Sequence, residues 1–337
     1  MKRFVLKNFL SSASPILGLD DKSGQRFILF TLLFFVSGCA SVPSWQTDKD
    51  TTYSSPKGVL PIKIIGEGNL GSTELNQPQG IVIDAAENLY IVDSGNNRIV
   101  KCNPEGNFLK EAGGFGWDNR EFNLPSYIAM DIGFSLYVTD TQNKRVQRFD
   151  NYLNFIQSIS SLTQEKPFEH SQLKGIALSR NGELYLADSE NDCIWKLDPQ
   201  FINVEKFGGF ESGSGALNDP QGLSIDTRGN LYVADSGNDR IAVYDPFGNF
   251  LKELGRSHLN RPFGVEISSS DVVYVANTFG DNLVALDENG NVLFKFGMRG
   301  RGEGEFNKPK DLKIFEGEKI YIVDSGNNRV QLLALIR

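Results

Sequence analysis

Residues 220–254 read PQGLSIDTRGNLYVADSGNDRIAVYDPFGNFLKEL. Leu223-Ser224-Ile225-Asp226 alternates apolar and polar, as a half-buried strand does. Thr227-Arg228-Gly229-Asn230 carries tight-turn residues, and Leu231-Tyr232-Val233-Ala234 is a second strand. Asp235-Ser236-Gly237-Asn238-Asp239 forms the next loop and Arg240-Ile241-Ala242-Val243-Tyr244 a third strand. A turn at Pro246-Phe247-Gly248-Asn249 leads to an outer strand, Phe250–Leu254. The stretch therefore predicts one unit of four short antiparallel strands joined by tight connections.

The unit repeats along the chain. Tyr90, Tyr137, Tyr185, Tyr232, Tyr274 and Tyr321 occur at spacings of 47, 48, 47, 42 and 47 residues, each three positions before a loop opening on Asp or Asn. A period near 45 with short strands in each unit predicts an all-β fold, a six-bladed β-propeller of four-stranded antiparallel blades. The sixth unit stops after its third strand, while Pro61-Ile62-Lys63-Ile64-Ile65 precedes the first unit. That segment is expected to complete the last blade and so close the ring, removing exposed strand edges.

The 337-residue chain has 40% apolar residues, including 24 Phe and 10 Tyr, which is ample for a packed core. Its formal charge is −8 overall; residues 1–38 hold five basic and two acidic residues (+3), leaving −11 for the remainder. So acidic a body repels phosphate backbones, and nucleic acid is not an expected partner.

Phe27 to Val36 is a ten-residue run, apolar apart from Thr31 and preceded by Lys22 and Arg26. It is too short for a spanning helix but fits a secretory signal. Its end, Val36-Ser37-Gly38-Cys39, resembles the lipobox of bacterial lipoproteins. The resemblance implies cleavage before Cys39, acyl chains on that cysteine and attachment to a membrane. Ala40 stands where an inner-membrane retention signal would place Asp, which favours the outer membrane. The expected organisation is a signal over 1–38, a flexible tether over 39–57 and the propeller over 58–337. Such a tether reaches roughly 25 Å by coil statistics. Cys102 and Cys193, at different ends of equivalent strands, are not expected to form a disulfide.

The Pro-x-Gly lead, the Gly-Asn-Leu-Tyr-Val turn and strand, and the Asp-Ser-Gly-Asn-Asp-Arg-Ile loop resemble the NHL repeat family across residues 60–337. The first, fourth and sixth units match closely, the second keeps Asp140, Asn143 and Arg145, and the third and fifth are degenerate. The repeated carboxylates Asp93, Asp140, Asp188, Asp235 and Asp324 are read as loop caps, not as an array for metal. The repeated Arg98, Arg145, Arg240 and Arg329 are expected to bond loop carbonyls, with Cys193 and Leu283 in their place in units three and five. Glu266 and Lys313 occupy matching positions on adjacent inner strands and predict an ion pair between blades.

A propeller ligand sits over the central channel where the inner strands begin. The x positions there are Gln79, Ser126, Lys174, Gln221, Phe263 and Lys310; Tyr127 and Asp311 follow two of them where the turn otherwise holds Gly. Gln79, Tyr127, Lys174, Gln221, Phe263, Lys310 and Asp311 are the expected ligand-binding set. Trp117, Phe122 and Tyr127 suggest an aromatic cluster nearby. The expected function is that of a lipid-anchored envelope scaffold holding a protein, peptide or glycan on this face. The alternative is a metal-dependent propeller enzyme. Lactonase-like propellers imply a Glu/Asn/Asp metal site, for which Asp311, Asn277 and Asn282 are the candidates. Amidating-lyase-like propellers imply a histidine-held zinc, and the chain has only His170 and His258. No catalytic residue and no cofactor are therefore expected, with calcium or zinc the less favoured reading.

Overall fold

A computed structural model of the protein describes residues 55–160 and 168–337. The signal segment, Cys39 and most of the tether lie outside the described residues. Six four-stranded antiparallel sheets make six blades. Their inner strands are Pro78–Ile83, Pro125–Met130, Leu173–Leu178, Pro220–Ile225, Gly264–Ile267 and Pro309–Phe315. The sixth blade takes its outer strand, Gly58–Ile65, from the other end of the chain. This strand pairs antiparallel with Arg329–Ile336, from Gly58 opposite Ile336 to Ile65 opposite Val330. The Lys57 N–H adds a bond of 2.8 Å to the Ile336 carbonyl. No helix among the described residues is long and apolar enough to cross a membrane.

The alternation of each strand places its apolar side chains against the neighbouring blade, so the core is divided among the interfaces between blades. Val82, Tyr90, Val92 and Ile99 of blade 1 meet Ile128, Leu136, Val138 and Phe149 of blade 2, and the pattern continues round to blade 6 against blade 1. All six periodic tyrosines are buried. Their hydroxyls reach the edge of the sheet, and two of them bond across an interface. Tyr90 donates to the Asn151 carbonyl at 2.9 Å, and Tyr321 to Glu87 Oε1 at 2.6 Å. Burial pushes the phenol of Tyr137 up to about 12.

The polar repeat is glue. In blade 1, Asp93 accepts from the Asn76 N–H at 2.7 Å, from Asn96 Nδ2 at 2.8 Å and from Arg98 Nε at 2.7 Å. Arg98 spends its outer nitrogens on Ser72, Glu111 and the Thr73 carbonyl. Blades 2, 4 and 6 repeat the Asp–Arg bond at 2.7, 2.6 and 2.8 Å. In blade 3 the indole N–H of Trp195 reaches Asp188 at 2.9 Å in place of the guanidinium. Strand pairing in blade 5 sets Asn277 opposite Asn282, so Asn282, not Leu283, stands in the arginine position. Asn277 Nδ2 donates to Asn282 Oδ1 at 2.9 Å.

A second set of bonds ties each blade to the next. The residue closing the Asp loop accepts from the N–H of the residue before the following inner strand: Asn97 from Leu124, Asp192 from Asp219, Asp239 from Arg261, Asp281 from Lys308 and Asn328 from Gln77, all at 2.7–2.8 Å. Those five donors adopt positive φ, between 42° and 52°. The bond holds them in the left-handed region that L-residues avoid. At the junction of blades 2 and 3, Lys144 offers no acceptor in this slot. There Gln172 gives its N–H to Asp188 and Leu173 follows directly, so the left-handed residue is missing.

Candidate channel-mouth site

The six inner strands converge so closely that a side chain does not fit at most of the second lead positions. A Cβ on Gly175 would collide with the Gln221 carbonyl, and one on Gly222 with the Phe263 carbonyl. The Gly222 N–H donates to that Phe263 carbonyl at 2.7 Å, stitching blade 4 to blade 5. Glycine lacks the Cβ that would prevent this approach.

Tyr127 and Asp311 replace glycine in this layer, and both are 4% exposed. Tyr127 extends from blade 2 to blade 5 and donates its hydroxyl to the Phe263 carbonyl at 3.2 Å. Its N–H is taken by Thr139 Oγ1 at 2.9 Å. Burial first, then the charges of Asp311 and Asp219, hold its phenol well above the usual tyrosine range. Asp311 accepts from the Ile81 N–H of blade 1 at 3.0 Å and from the Leu312 N–H at 2.8 Å. Burial raises its carboxyl to about 7, against the opposing pull of Lys313 and the two N–H bonds. Tyr127 and Asp311 thus lie beneath the mouth, within the wall and the plug.

Above this layer the x positions gather at the upper opening. Gln221 donates to Asp219 Oδ1 at 2.6 Å, and Arg261 pairs with Asp219 Oδ2 at 2.5 Å. Gln79 Nε2 lies 3.4 Å from Ser94 Oγ, and Ser126 Oγ donates to Thr141 Oγ1 at 2.7 Å, the Thr141 hydroxyl being given to the Leu173 carbonyl. Lys310 places its ammonium 3.4 Å from the centroid of the Phe263 ring. Lys308 and Arg261 flank Phe279 at 5.7 and 5.4 Å. Burial and the neighbouring Lys174 and Lys308 bring the Lys310 ammonium down to about 7, and burial also lowers Lys174. Among the described residues neither Lys174 nor Lys310 has a carboxylate within ion-pair distance.

Below the plug is a cavity of about 280 Å³, lined by Val82, Met130, Leu178, Ile225, Glu266 and Lys313 among others. Lys313 Nζ meets Glu266 Oε2 at 2.5 Å, the ion pair expected between blades 5 and 6, and Ser224 Oγ donates to the same oxygen at 3.3 Å. Burial works against the Lys313 ammonium, but Glu266 and Asp311 more than offset it and raise it.

The expected aromatic cluster is not formed. Trp117 is 67% exposed and stacks edge-on with Phe115, while Phe122 is fully buried against Phe149. The hydroxyl of Tyr127 points across the channel instead. The Glu121 and Glu305 carbonyls accept from Gln147 and Gln331, which holds these long lead loops down. His170 and His258 sit in separate loops, where their carbonyls serve Asn191 and Lys295. Cys102 and Cys193 are buried and free, and burial raises both thiols to about 12. Among the described residues no three His, Cys, Asp or Glu side chains are grouped as a metal site. Sequence reading missed Arg261, Asp219 and Phe279; Asp219 and Arg261 stand at left-handed bends, each just before a proline that leads into an inner strand, and Phe279 lies in the loop after the second strand of blade 5.

The geometry defines a six-bladed β-propeller with a plugged channel and a cationic, partly aromatic mouth. The NHL repeat family matches residues 75–102 and 217–244, and the chain carries NHL repeats on this propeller. No curated protein matches the chain. Among solved structures, virginiamycin B lyase from Staphylococcus aureus superposes with a TM-score of 0.56 at 14% identity, over 83% of this chain and 99% of that one. A gluconolactonase from Xanthomonas campestris gives 0.60 at 12%, over 84% and 99%. A luciferin-regenerating enzyme gives 0.62 at 14%, over 82% and 95%. At such identities the likeness is one of fold, which hosts many activities.

Proposed function

We propose that this protein is a lipid-anchored binding module of the cell envelope. It holds a protein, peptide or glycan at the upper mouth of its channel, with Gln79, Lys174, Phe263 and Lys310 as the contact set and the buried Gln221 bracing Asp219 behind them. The observation carrying this reading is that Lys174 and Lys310 stand half-buried at the opening with no carboxylate partner among the described residues. Every repeated carboxylate further out is, by contrast, satisfied by its own loop. Tyr127 and Asp311 support the mouth from below. Export through the signal over 1–38, acylation at Cys39 and residence in the outer membrane complete the proposal. Mass spectrometry of the mature N-terminus tests the anchor: an acylated Cys39 supports it, and an unmodified chain retaining residues 1–38 refutes it.

The binding role is tested by capture from native envelope extract. Gln79→Ala with Lys174→Ala at the mouth is compared with Phe247→Ala on the opposite face, where Phe247 is 84% exposed. Loss of the captured species with the mouth variant alone supports the reading; equal capture by both removes it.

The similar solved structures, a lyase, a gluconolactonase and a luciferin-regenerating enzyme, favour a second reading, an enzyme. A lactonase-like metal site would draw on Asp311, Asn277 and Asn282. They do not fit that role, because Asp311 has both oxygens on backbone N–H groups. Asn277 accepts from the Asn260 N–H at 2.6 Å and donates to Asn282. One tightly held equivalent of zinc or calcium in elemental analysis of the mature protein would nevertheless restore the enzyme reading.

A further inference from the structure

The upper mouth concentrates positive charge in a protein whose net charge is −8. Lys174 from blade 3, Lys308 and Lys310 from blade 6 and Arg261 from blade 5 gather there. The one carboxylate that bears on both Lys174 and Lys310 is Asp219. It is already engaged, with Oδ1 accepting from Gln221 at 2.6 Å and Oδ2 from Arg261 at 2.5 Å. Arg261 is thereby neutralised locally, and the two lysines are not. Lys310 rests on the face of Phe263, and cation–π attraction of this kind offsets only part of the cost of desolvating an ammonium. Two like charges held together in a half-buried site leave a deficit that an anion repairs.

We propose that Lys174 and Lys310 form a carboxylate-binding subsite at the channel mouth, which receives the acidic group of the ligand while the amide of Gln79 and the ring of Phe263 meet its uncharged part. The inference rests on the binding reading above and names the chemistry of its ligand. A singly charged carboxylate suits the subsite better than a doubly charged phosphate. Burial and the neighbouring cations bring the Lys310 ammonium down to about 7 and burial also lowers Lys174, so the pair carries less than two full positive charges at pH 7. Such a carboxylate comes from a uronic-acid sugar or from the C-terminus of a peptide.

Proton linkage follows. Lys310 is faced by Lys174, Lys308 and Arg261, which disfavour its charge, and by Asp219, which favours it. An incoming carboxylate stabilises the ammonium, so binding near pH 7 takes up protons. Affinity falls as pH rises from 6 to 8, because the free Lys310 then loses its proton before the ligand arrives.

Calorimetric titration of the mature protein tests this with glucuronate against glucose and N-acetyl-alanyl-alanine against its C-terminal amide. At least one carboxylate is expected to bind at least tenfold more tightly than its neutral counterpart, and which one distinguishes the sugar from the peptide source. Lys174→Gln and Lys310→Gln are expected to weaken that binding at least tenfold. Lys310→Arg retains binding and loses the proton uptake, which a merely structural lysine would not do. Unchanged melting temperatures confirm that the variants remain folded. Equal affinity for charged and neutral probes, failure of both carboxylates to bind, or binding that survives both glutamine variants overturns the proposal. If the carboxylates fail while the mouth variant still loses its envelope partner, the ligand class falls and the binding reading stands.

Discussion

At the lower end of the channel Lys313 meets Glu266 at 2.5 Å, whereas at the upper end Lys174 and Lys310 meet no carboxylate among the described residues. Both ends lie on the same inner strands and both hold half-buried ammonium groups. The difference lies in who supplies the opposite charge. Below, the adjacent blade supplies it, so the charge is structural and joins blade 5 to blade 6. Above, Asp219, the carboxylate that bears on both lysines, is held by Arg261 and Gln221. A site left uncompensated costs stability, and what persists at such a cost is a candidate for recognition. Tyr127 separates the two ends, so the lower cavity does not share the upper charges.

The comparison can be broken most forcefully by opening the ring on which both ends depend. Removing residues 58–65 exposes the edge of Arg329–Ile336 and strips apolar partners from the sixth blade. The cooperative thermal transition is expected to vanish, with aggregates on size exclusion. A melting temperature matching the intact protein would show that the strand is dispensable. Next in size, Lys313→Met leaves the Glu266 carboxylate alone in the lower cavity and should cost about 3 kcal/mol in urea unfolding. Adding Glu266→Leu should recover most of that loss; no recovery would mean that the two side chains act separately.

Asp311 provides a pH test of the layer between the ends. Its folded carboxyl lies near 7, above the ordinary 3.8, so the folded state holds the proton more tightly. Its contribution to stability is present below about pH 4 and is lost as pH rises to about 7. The stability difference between the native protein and Asp311→Asn should change across that window and flatten beyond it. A difference independent of pH would place the Asp311 carboxyl at an ordinary value. The smallest effect is expected at the top. Lys310→Met removes an uncompensated charge from above Phe263 and should leave stability unchanged or raise it slightly, by about 0.5 kcal/mol. A loss as large as that of Lys313→Met would erase the distinction between the two ends.

Much of the architecture was legible because it is repeated. Six tyrosines at nearly constant spacing marked the second strands, and the unpaired ribbon near Ile62 could be matched to a last unit that lacked its outer strand. Glu266 and Lys313 were legible as a pair because equivalent positions on neighbouring inner strands face each other. Departures from the repeat were harder to read. Asn282 was displaced by one position to Leu283, since this degenerate loop carries its glycine, Gly280, at the fourth position instead of the third and has no arginine to set the register. Trp195 was overlooked because an indole N–H substitutes for a guanidinium only when strand geometry carries it back to Asp188. Tyr127 was expected in the ligand-binding set at the channel mouth; its hydroxyl donates to a carbonyl 136 residues away, on the far side of the ring. Local pattern contains no information about a chord across a circle. Arg261 and Asp219 belong to the mouth for a related reason: their backbone turns left-handed there, which their residue types do not announce.

Because the sixth blade pairs Gly58–Ile65 with Arg329–Ile336, the ring cannot close before the later of these two strands has been made. The segment Gly58–Ile65 must wait until Val330 and its neighbours have emerged, and then find them across nearly the whole length of the protein. Contacts of such long range slow the final step of folding. Until that step the sixth sheet offers an unprotected margin to other chains. A polypeptide built in this way keeps its ring open until two ribbons far apart in sequence have met.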